Sequence, residues 1–210
     1  MATLVKICGL STPETLAVAV QSGADYVGLV HFEKSPRHLS LAEAARLRVL
    51  IPPQVKTVLL VVNPSPALLA EAVREVRPDV VQFHGSETPE TLARFRADTG
   101  ITAWRAFGVR DAASLADAAR FHGAADMLLF DAPASGLPGG NGTRFDWGLL
   151  KAYKSPTPWG LAGGLTPANV AEAIRQTGAP LLDTSSGVES AVAVKDAAKI
   201  AAFCAAARGA

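Results

Sequence analysis

The chain has 210 residues, enough for one domain with a substantial core and too few for two comfortable ones. Hydrophobic residues make up 49% of it, which argues against disorder; a net charge of +1, with no basic run interleaved with aromatics, gives nucleic-acid or membrane-surface binding no support. Two cysteines, Cys8 and Cys204, stand nearly a full chain apart, so the expectation is a reducing compartment rather than a disulfide scaffold.

Strand-like and helix-like segments alternate along the chain. The first, residues 4–9, lies in the stretch Val5-Lys6-Ile7-Cys8-Gly9-Leu10, a short apolar run that holds one cysteine and stops at a glycine. Ser11 follows as a helix cap, with Pro13 and Glu14 placed for a first turn. No signal-peptide pattern precedes this strand, and no apolar run approaches the ~18 residues of a membrane span, so a soluble cytoplasmic protein is expected. Further strands are read at 26–32, 57–62, 80–84, 102–108, 127–131, 159–162 and 181–184. Apolar residues at three- and four-residue spacing mark helices such as 41–50, 67–76, 89–96, 167–176 and 194–208. Ser40, Ser65, Ser86 and Thr166 stand at N-cap positions, and Gly23, Gly100 and Gly178 where helices would stop. Several strands are near-continuous apolar runs, as burial on both faces of a parallel sheet requires. Eight such units, within one domain spanning 1–210, predict an α/β fold, a closed (β/α)8 TIM barrel with short loops. An open doubly wound sheet is the alternative.

In a barrel, chemistry collects at the carboxyl ends of the strands. Cys8 ends the first; it reads equally as a small buried core residue or as a proton-transfer group. Asp131 ends the sixth, where a carboxylate serves as an acid or base or as a turn cap, and burial would raise its pKa toward neutrality. An electropositive bias would bring the thiol into a usable range, giving two proton-transfer groups on opposite sides of the mouth. Gln82 and His84, two apart at the end of the fourth strand, share a face that points into the mouth if it is inward. Arg37, in Ser35-Pro36-Arg37 after the second strand, is placed to take a carboxylate or simply to stand in solvent.

Two turns offer an anion site. Leu161-Ala162-Gly163-Gly164-Leu165-Thr166-Pro167 follows strand seven, and Asp183-Thr184-Ser185-Ser186-Gly187-Val188-Glu189 follows strand eight. Gly163, Gly164 and Gly187 let backbone N–H groups approach a phosphate, Ser185 and Ser186 add hydroxyls, and a helix N-terminus behind them would add its dipole. Phosphate binding after strands seven and eight recurs in barrels. The glycine- and proline-rich stretch 132–143 reads as a loop over the site or as a surface excursion. His31, His38, His84 and His122 are scattered, no Walker or dinucleotide fingerprint occurs, and no metal or cofactor is implied.

Lys6-Ile7-Cys8-Gly9, Ser35-Pro36-Arg37, Gln82-x-His84-Gly85, Phe130-Asp131, Leu161-Ala162-Gly163-Gly164-Leu165 and Asp183-x-Ser185-Ser186-Gly187-Val188-Glu189 occur in one order. Together they resemble the phosphoribosylanthranilate isomerase family, barrel enzymes of tryptophan biosynthesis, over essentially the whole chain. The resemblance implies an Amadori rearrangement of N-(5-phosphoribosyl)anthranilate, a small phosphosugar. Proton transfer between two side chains suffices for it, so no cofactor is implied; the expected assembly is a monomer or homodimer. By that similarity Asp131 is the general acid, Cys8 the general base, and Arg37 holds the anthranilate carboxylate. The turns at Gly163, Gly164, Ser185 and Ser186 hold the phosphate, and Asp183 makes a polar contact near the sugar. Asn141, Thr143, Thr184 and His31-Phe32-Glu33 depart from the family's usual residues and bear on loop dynamics and the tightness of binding. Three rivals stand beside this reading. The sugar-phosphate isomerase of histidine biosynthesis would place an aspartate where Cys8 stands. A non-catalytic phosphosugar binder needs neither Cys8 nor Asp131. A Cys8–His84 hydrolase would leave the phosphate turns unused.

Overall fold

A computed structural model describes residues 3–133, 145–151 and 153–210. Its eight parallel strands are β1 (Leu4–Cys8), β2 (Tyr26–His31), β3 (Lys56–Val61), β4 (Val80–Phe83), β5 (Thr102–Gly108), β6 (Met127–Asp131), β7 (Trp159–Leu161) and β8 (Leu181–Thr184). Each pairs with the next and β8 returns to β1, pairing Lys6 with Asp183, so the sheet is a closed barrel as the alternation predicts. An open sheet is thereby excluded.

Both faces of the strands are buried. Val5, Ile7, Val27, Leu29, Val81 and Phe83 belong to the large core shared with the helices. Leu4, Tyr26, Val58, Val80, Trp104, Leu129 and Leu181 form a second, separate cluster filling the barrel's interior. There Tyr26 meets Trp104 edge to face at 4.9 Å. Toward the carboxyl ends the interior turns polar: Lys6, Gln82, Asp131 and Asp183 are buried there, with Cys8 beside Val30 and Leu60.

The α-helices among the described residues are α1 (Pro13–Gln21), α2 (Leu41–Arg48), α3 (Pro66–Val76), α4 (Pro89–Thr99), α5 (Ala112–Ala118), α6 (Val170–Thr177) and α7 (Ala197–Arg208). Ser40 forms a capping box with Glu43, and Ser65 caps α3, both as read from sequence. Other caps differ. Thr12, not Ser11, caps α1, and Thr88, not Ser86, caps α4; in both the true cap directly precedes the proline at the first helical position. Gly100 and Gly178 end their helices in the left-handed conformation, while Gly23 follows one residue after the cap of α1.

Three predicted helices are corrected. The helix expected at 167–176 begins only at Val170, because Asn169 Oδ1 accepts from Thr166 N at 2.8 Å and its Nδ2 donates to Gly164 O at 2.9 Å, extending the turn. The helix expected at 194–208 begins at Ala197; Val194–Lys195 is instead a strand, β10, paired antiparallel with β9 (Glu189–Ala191). Between β6 and β7 the described residues hold only a short 3-10 helix, Trp147–Leu150, in place of an eighth α-helix. The stretch read as a loop over the site lies outside the described residues from residue 134 on, and with it Asn141 and Thr143.

Candidate active site

One cavity at the carboxyl ends of the strands takes in every predicted site residue. Cys8, Asp131, Gln82, His84 and Asp183 line it, as do Arg37, Gly163, Gly164, Ser185, Ser186 and Gly187. Chain closure is what assembles them, since they come from the ends of six different strands.

Asp131 is buried, with Oδ1 accepting from Ala132 N at 2.7 Å and Oδ2 3.6 Å from His84 Nε2. Burial, reinforced by the nearby Asp183 carboxylate, pushes its carboxyl up to about 7; the Ala132 N–H and Lys6 pull the other way. Its acid is thus half populated near neutrality, which suits a proton donor. His84 is driven down to about 3 by burial and then by the charges of Arg105 and Lys6, so the imidazole beside Asp131 is neutral. His84 turns to Asp131, and the charged groups acting on Cys8 are Lys6, Asp183 and Lys195, so the structure gives a Cys8–His84 nucleophile–base pair no support.

Arg105 fixes that loop from behind. Its Nη1 donates to Phe83 O at 3.2 Å and Ala106 O at 2.7 Å, and its Nη2 to Gly85 O at 2.8 Å, holding the backbone on either side of His84. Gln82 is buried at the same level, and its Oε1 has no partner among the described residues.

Across the mouth, Cys8 stands over a buried ion pair, Lys6 Nζ to Asp183 Oδ2 at 2.7 Å. Although burial works against its charge, Lys6 is held above its ordinary value by Asp183 and by Cys8. The expected electropositive bias is present, because Lys6 and Lys195 both draw the thiol down. Burial outweighs them, however, and the free thiol sits above its ordinary value, a correction to the sequence expectation. Gly28 makes room for it: a Cβ there would stand 2.9 Å from Cys8 Sγ. Asp183 Oδ1 has no hydrogen-bond partner among the described residues.

The two glycine turns face each other at the cavity wall. Gly163 and Gly164 have φ of 82° and 65°, and a Cβ on Gly163 would strike Ala132 N and come within 2.9 Å of Asp131 Oδ1, so the turn presses against the sixth strand's end. Thr184 Oγ1 donates to Leu165 O at 2.8 Å, bracing one turn on the other. The elements behind these turns are shorter, or start later, than the sequence predicts. A single 3-10 turn, Ser186–Val188, follows β8, and α6 starts beyond Asn169.

Arg37 is buried rather than solvated. Its Nε and Nη2 each donate to Glu189, to Oε1 and Oε2, at 2.7 Å. Pairing with Glu189 raises its pKa against burial. The end-on edge, Nη1 and the second Nη2 proton, is what remains for a ligand. Lys6, Arg105, Asn169, Glu189 and Lys195 were given no role from sequence. Lys6 and Glu189 stand inside quoted motifs, but a buried charge is indistinguishable from a surface one until the fold is known.

Carboxyl, thiol, arginine and glycine-turn groups thus gather in one cavity at the carboxyl ends of the strands, where (β/α)8 barrel enzymes carry their active sites. A family model described as N-(5'phosphoribosyl)anthranilate (PRA) isomerase matches residues 5–206. A relative from Erythrobacter litoralis named N-(5'-phosphoribosyl)anthranilate isomerase is 62% identical, covering 99% of this chain and 100% of its own. The phosphoribosyl anthranilate isomerase of Thermotoga maritima is 34% identical with a TM-score of 0.90, covering 99% and 100% of the two chains. A phosphoribosyl anthranilate isomerase solved with reduced 1-(o-carboxyphenylamino)-1-deoxyribulose 5-phosphate gives 33% identity and a TM-score of 0.87, with the same coverage. The chain belongs to the N-(5'-phosphoribosyl)anthranilate isomerase family, enzymes of tryptophan biosynthesis.

Proposed function

We propose that this barrel mouth carries out the family's reaction, the Amadori rearrangement of N-(5'-phosphoribosyl)anthranilate, by general acid–base catalysis between Asp131 and Cys8. The observation that carries it is the pairing across one cavity of a carboxyl raised to about 7 with a thiol beside Lys6. Asp131 protonates the ribose ring oxygen as the anilino nitrogen's lone pair opens the ring to a Schiff base. The Cys8 thiolate then takes the proton from sugar carbon two. The electrons of that C–H bond neutralise the iminium, leaving an enolamine that tautomerises to the ketone of 1-(2-carboxyphenylamino)-1-deoxyribulose 5-phosphate.

The end-on edge of Arg37 takes the anthranilate carboxylate, and the turns at Gly163, Gly164, Ser185, Ser186 and Gly187 take the phosphate. Asp183 Oδ1, Gln82 and neutral His84 meet the sugar hydroxyls between them, and His84 keeps Asp131 out of water. The work is a cytoplasmic one in this reading, matching two free cysteines. Cys8→Ala and Asp131→Ala test the assignment. Each is expected to lose at least ~10²-fold in kcat while binding the reduced product within a few fold of wild type. A variant that keeps near-full turnover shows its assigned role to be wrong.

A further inference from the structure

Among the buried charged groups that the mechanism leaves unused are Glu189 and Lys195, facing each other on the β9–β10 hairpin. Glu189 Oε1 accepts from Arg37 Nε and Lys195 Nζ, both at 2.7 Å; Oε2 accepts from Arg37 Nη2 at 2.7 Å and Ala193 N at 3.1 Å. Lys195 Nζ donates onward to Ser185 O at 2.9 Å and to Ser185 Oγ at 3.1 Å. The side chains are almost out of water, 1% exposed for Lys195 and 4% for Glu189. Ala193, at the hairpin's turn, is a non-glycine residue with φ of 63°, and the Glu189 carboxylate holds its N–H.

Arg37 arrives from the loop after β2 and Ser185 from the turn after β8, and the hairpin joins the two. They are close: a Cβ on Gly9 would stand 2.6 Å from Arg37 Cδ and 3.2 Å from Ser185 Oγ. Burying these charges is costly unless each is paired and hydrogen-bonded, and such clusters often add little net stability over apolar packing. What this one supplies is geometry. With its side edge held by Glu189, Arg37 presents only its end edge, and rotamer entropy is lost before a ligand arrives rather than on binding. With Lys195 donating to Ser185 Oγ, that hydroxyl's own proton is left to point at an incoming oxyanion.

We propose that Glu189 and Lys195 are positioning residues that set the two anionic ends of the substrate, Glu189 acting through Arg37 on the aromatic carboxylate and Lys195 through Ser185 on the phosphate. The proposal rests on the reading of Arg37 as the carboxylate clamp and Ser185 as a phosphate donor. The test compares binding of the reduced product with binding of the same compound lacking its aromatic carboxylate, and adds inhibition by inorganic phosphate. Glu189→Gln is expected to lose about ten-fold or more of the wild-type preference for the carboxylate-bearing compound, with phosphate inhibition within about three-fold. Lys195→Met is expected to weaken phosphate inhibition about ten-fold and to keep the carboxylate preference within about three-fold. An unchanged preference in folded Glu189→Gln, or unchanged phosphate inhibition in Lys195→Met, overturns the corresponding half. Should Glu189→Gln not fold, Glu189→Asp keeps the charge one methylene short and is expected to lose about three-fold of the preference, and no loss there overturns the bracing equally. Arg37→Met separates the two levels: if it also keeps the preference, the clamp reading fails rather than the bracing.

Discussion

Asp131 combines two properties that oppose each other. Burial that lifts its carboxyl to about 7 makes it a proton donor near neutrality and also makes it a cost to folding. Between the unfolded carboxyl's ~3.9 and about 7 the folded form holds a proton the unfolded chain has released. Stability therefore falls as pH rises through that window, and the loss is complete above it. Asp131→Asn keeps an acceptor for Ala132 N and removes the charge. It is expected to be more stable than wild type at pH 8, by no more than ~4 kcal/mol, and to lose that advantage by pH 4. Thermal melts across that range check it.

In the proposed mechanism the thiol and carboxyl together set the pH dependence of turnover. That mechanism needs Asp131 protonated and Cys8 ionised, yet the thiol titrates above the carboxyl. The productive form is then a minor proton arrangement of the singly protonated pair, whose population is constant between the two pKa values. So kcat/KM is expected to rise through about 7 and to fall only above the ordinary thiol range. A profile that falls from neutrality upward contradicts that ordering. Cys204 has no part in this: it is core-buried in α7 with its thiol pushed up to about 11 by burial. Cys204→Ala is expected to keep wild-type kcat/KM and to cost about 1 kcal/mol of stability.

At the scale of elements, the turns after β7 and β8 work as a braced pair. Gly163→Ala puts a methyl against Ala132 N in a left-handed backbone, so the turn must move. KM for the substrate is expected to rise about ten-fold or more, and a steady-state assay of the folded variant checks it. How much of this was legible in the sequence follows from the range of each cause. The strands were readable because a parallel barrel buries both of their faces, which writes an unbroken apolar run into neighbouring residues. Ser86 and Thr88 both suit the N-cap of α4 by residue type, but only Thr88 abuts the proline, and Ser86 turns to Asn63 instead. Residues 194 and 195 look helical beside an alanine-rich run, but Lys195 is drawn into β10 by Glu189 and Ser185, partners that only the fold brings to it. Cys8, Asp131 and the glycine turns could be singled out because they end apolar strands. Glu189, Lys195 and Asn169 could not, because their importance lies wholly in what they touch.

Over the whole molecule, the site exists only when the barrel is closed, since β1 must pair with β8 to bring Lys6 to Asp183 and Cys8 near Ser185. Ligand binding is accordingly linked to global stability. At a concentration of about 100 times its dissociation constant, the reduced product is expected to add roughly 2.7 kcal/mol and to raise the melting temperature by roughly 5–10 °C. A melting curve that ignores it contradicts binding across several strand ends. The mouth gathers Lys6, Arg37 and Lys195 against Asp183, Glu189 and Asp131, so the balance among these buried charges is positive when Asp131 is protonated, which suits the carboxylate and phosphate of the proposed substrate. The most direct test of the central claim is the consumption of N-(5'-phosphoribosyl)anthranilate, generated in place from anthranilate and followed by fluorescence, with wild type beside Asp131→Asn. Rapid loss of signal with wild type and almost none with the folded variant is the predicted result. Equal loss with both contradicts the assignment of the acid, and no loss with folded wild type contradicts the reaction itself.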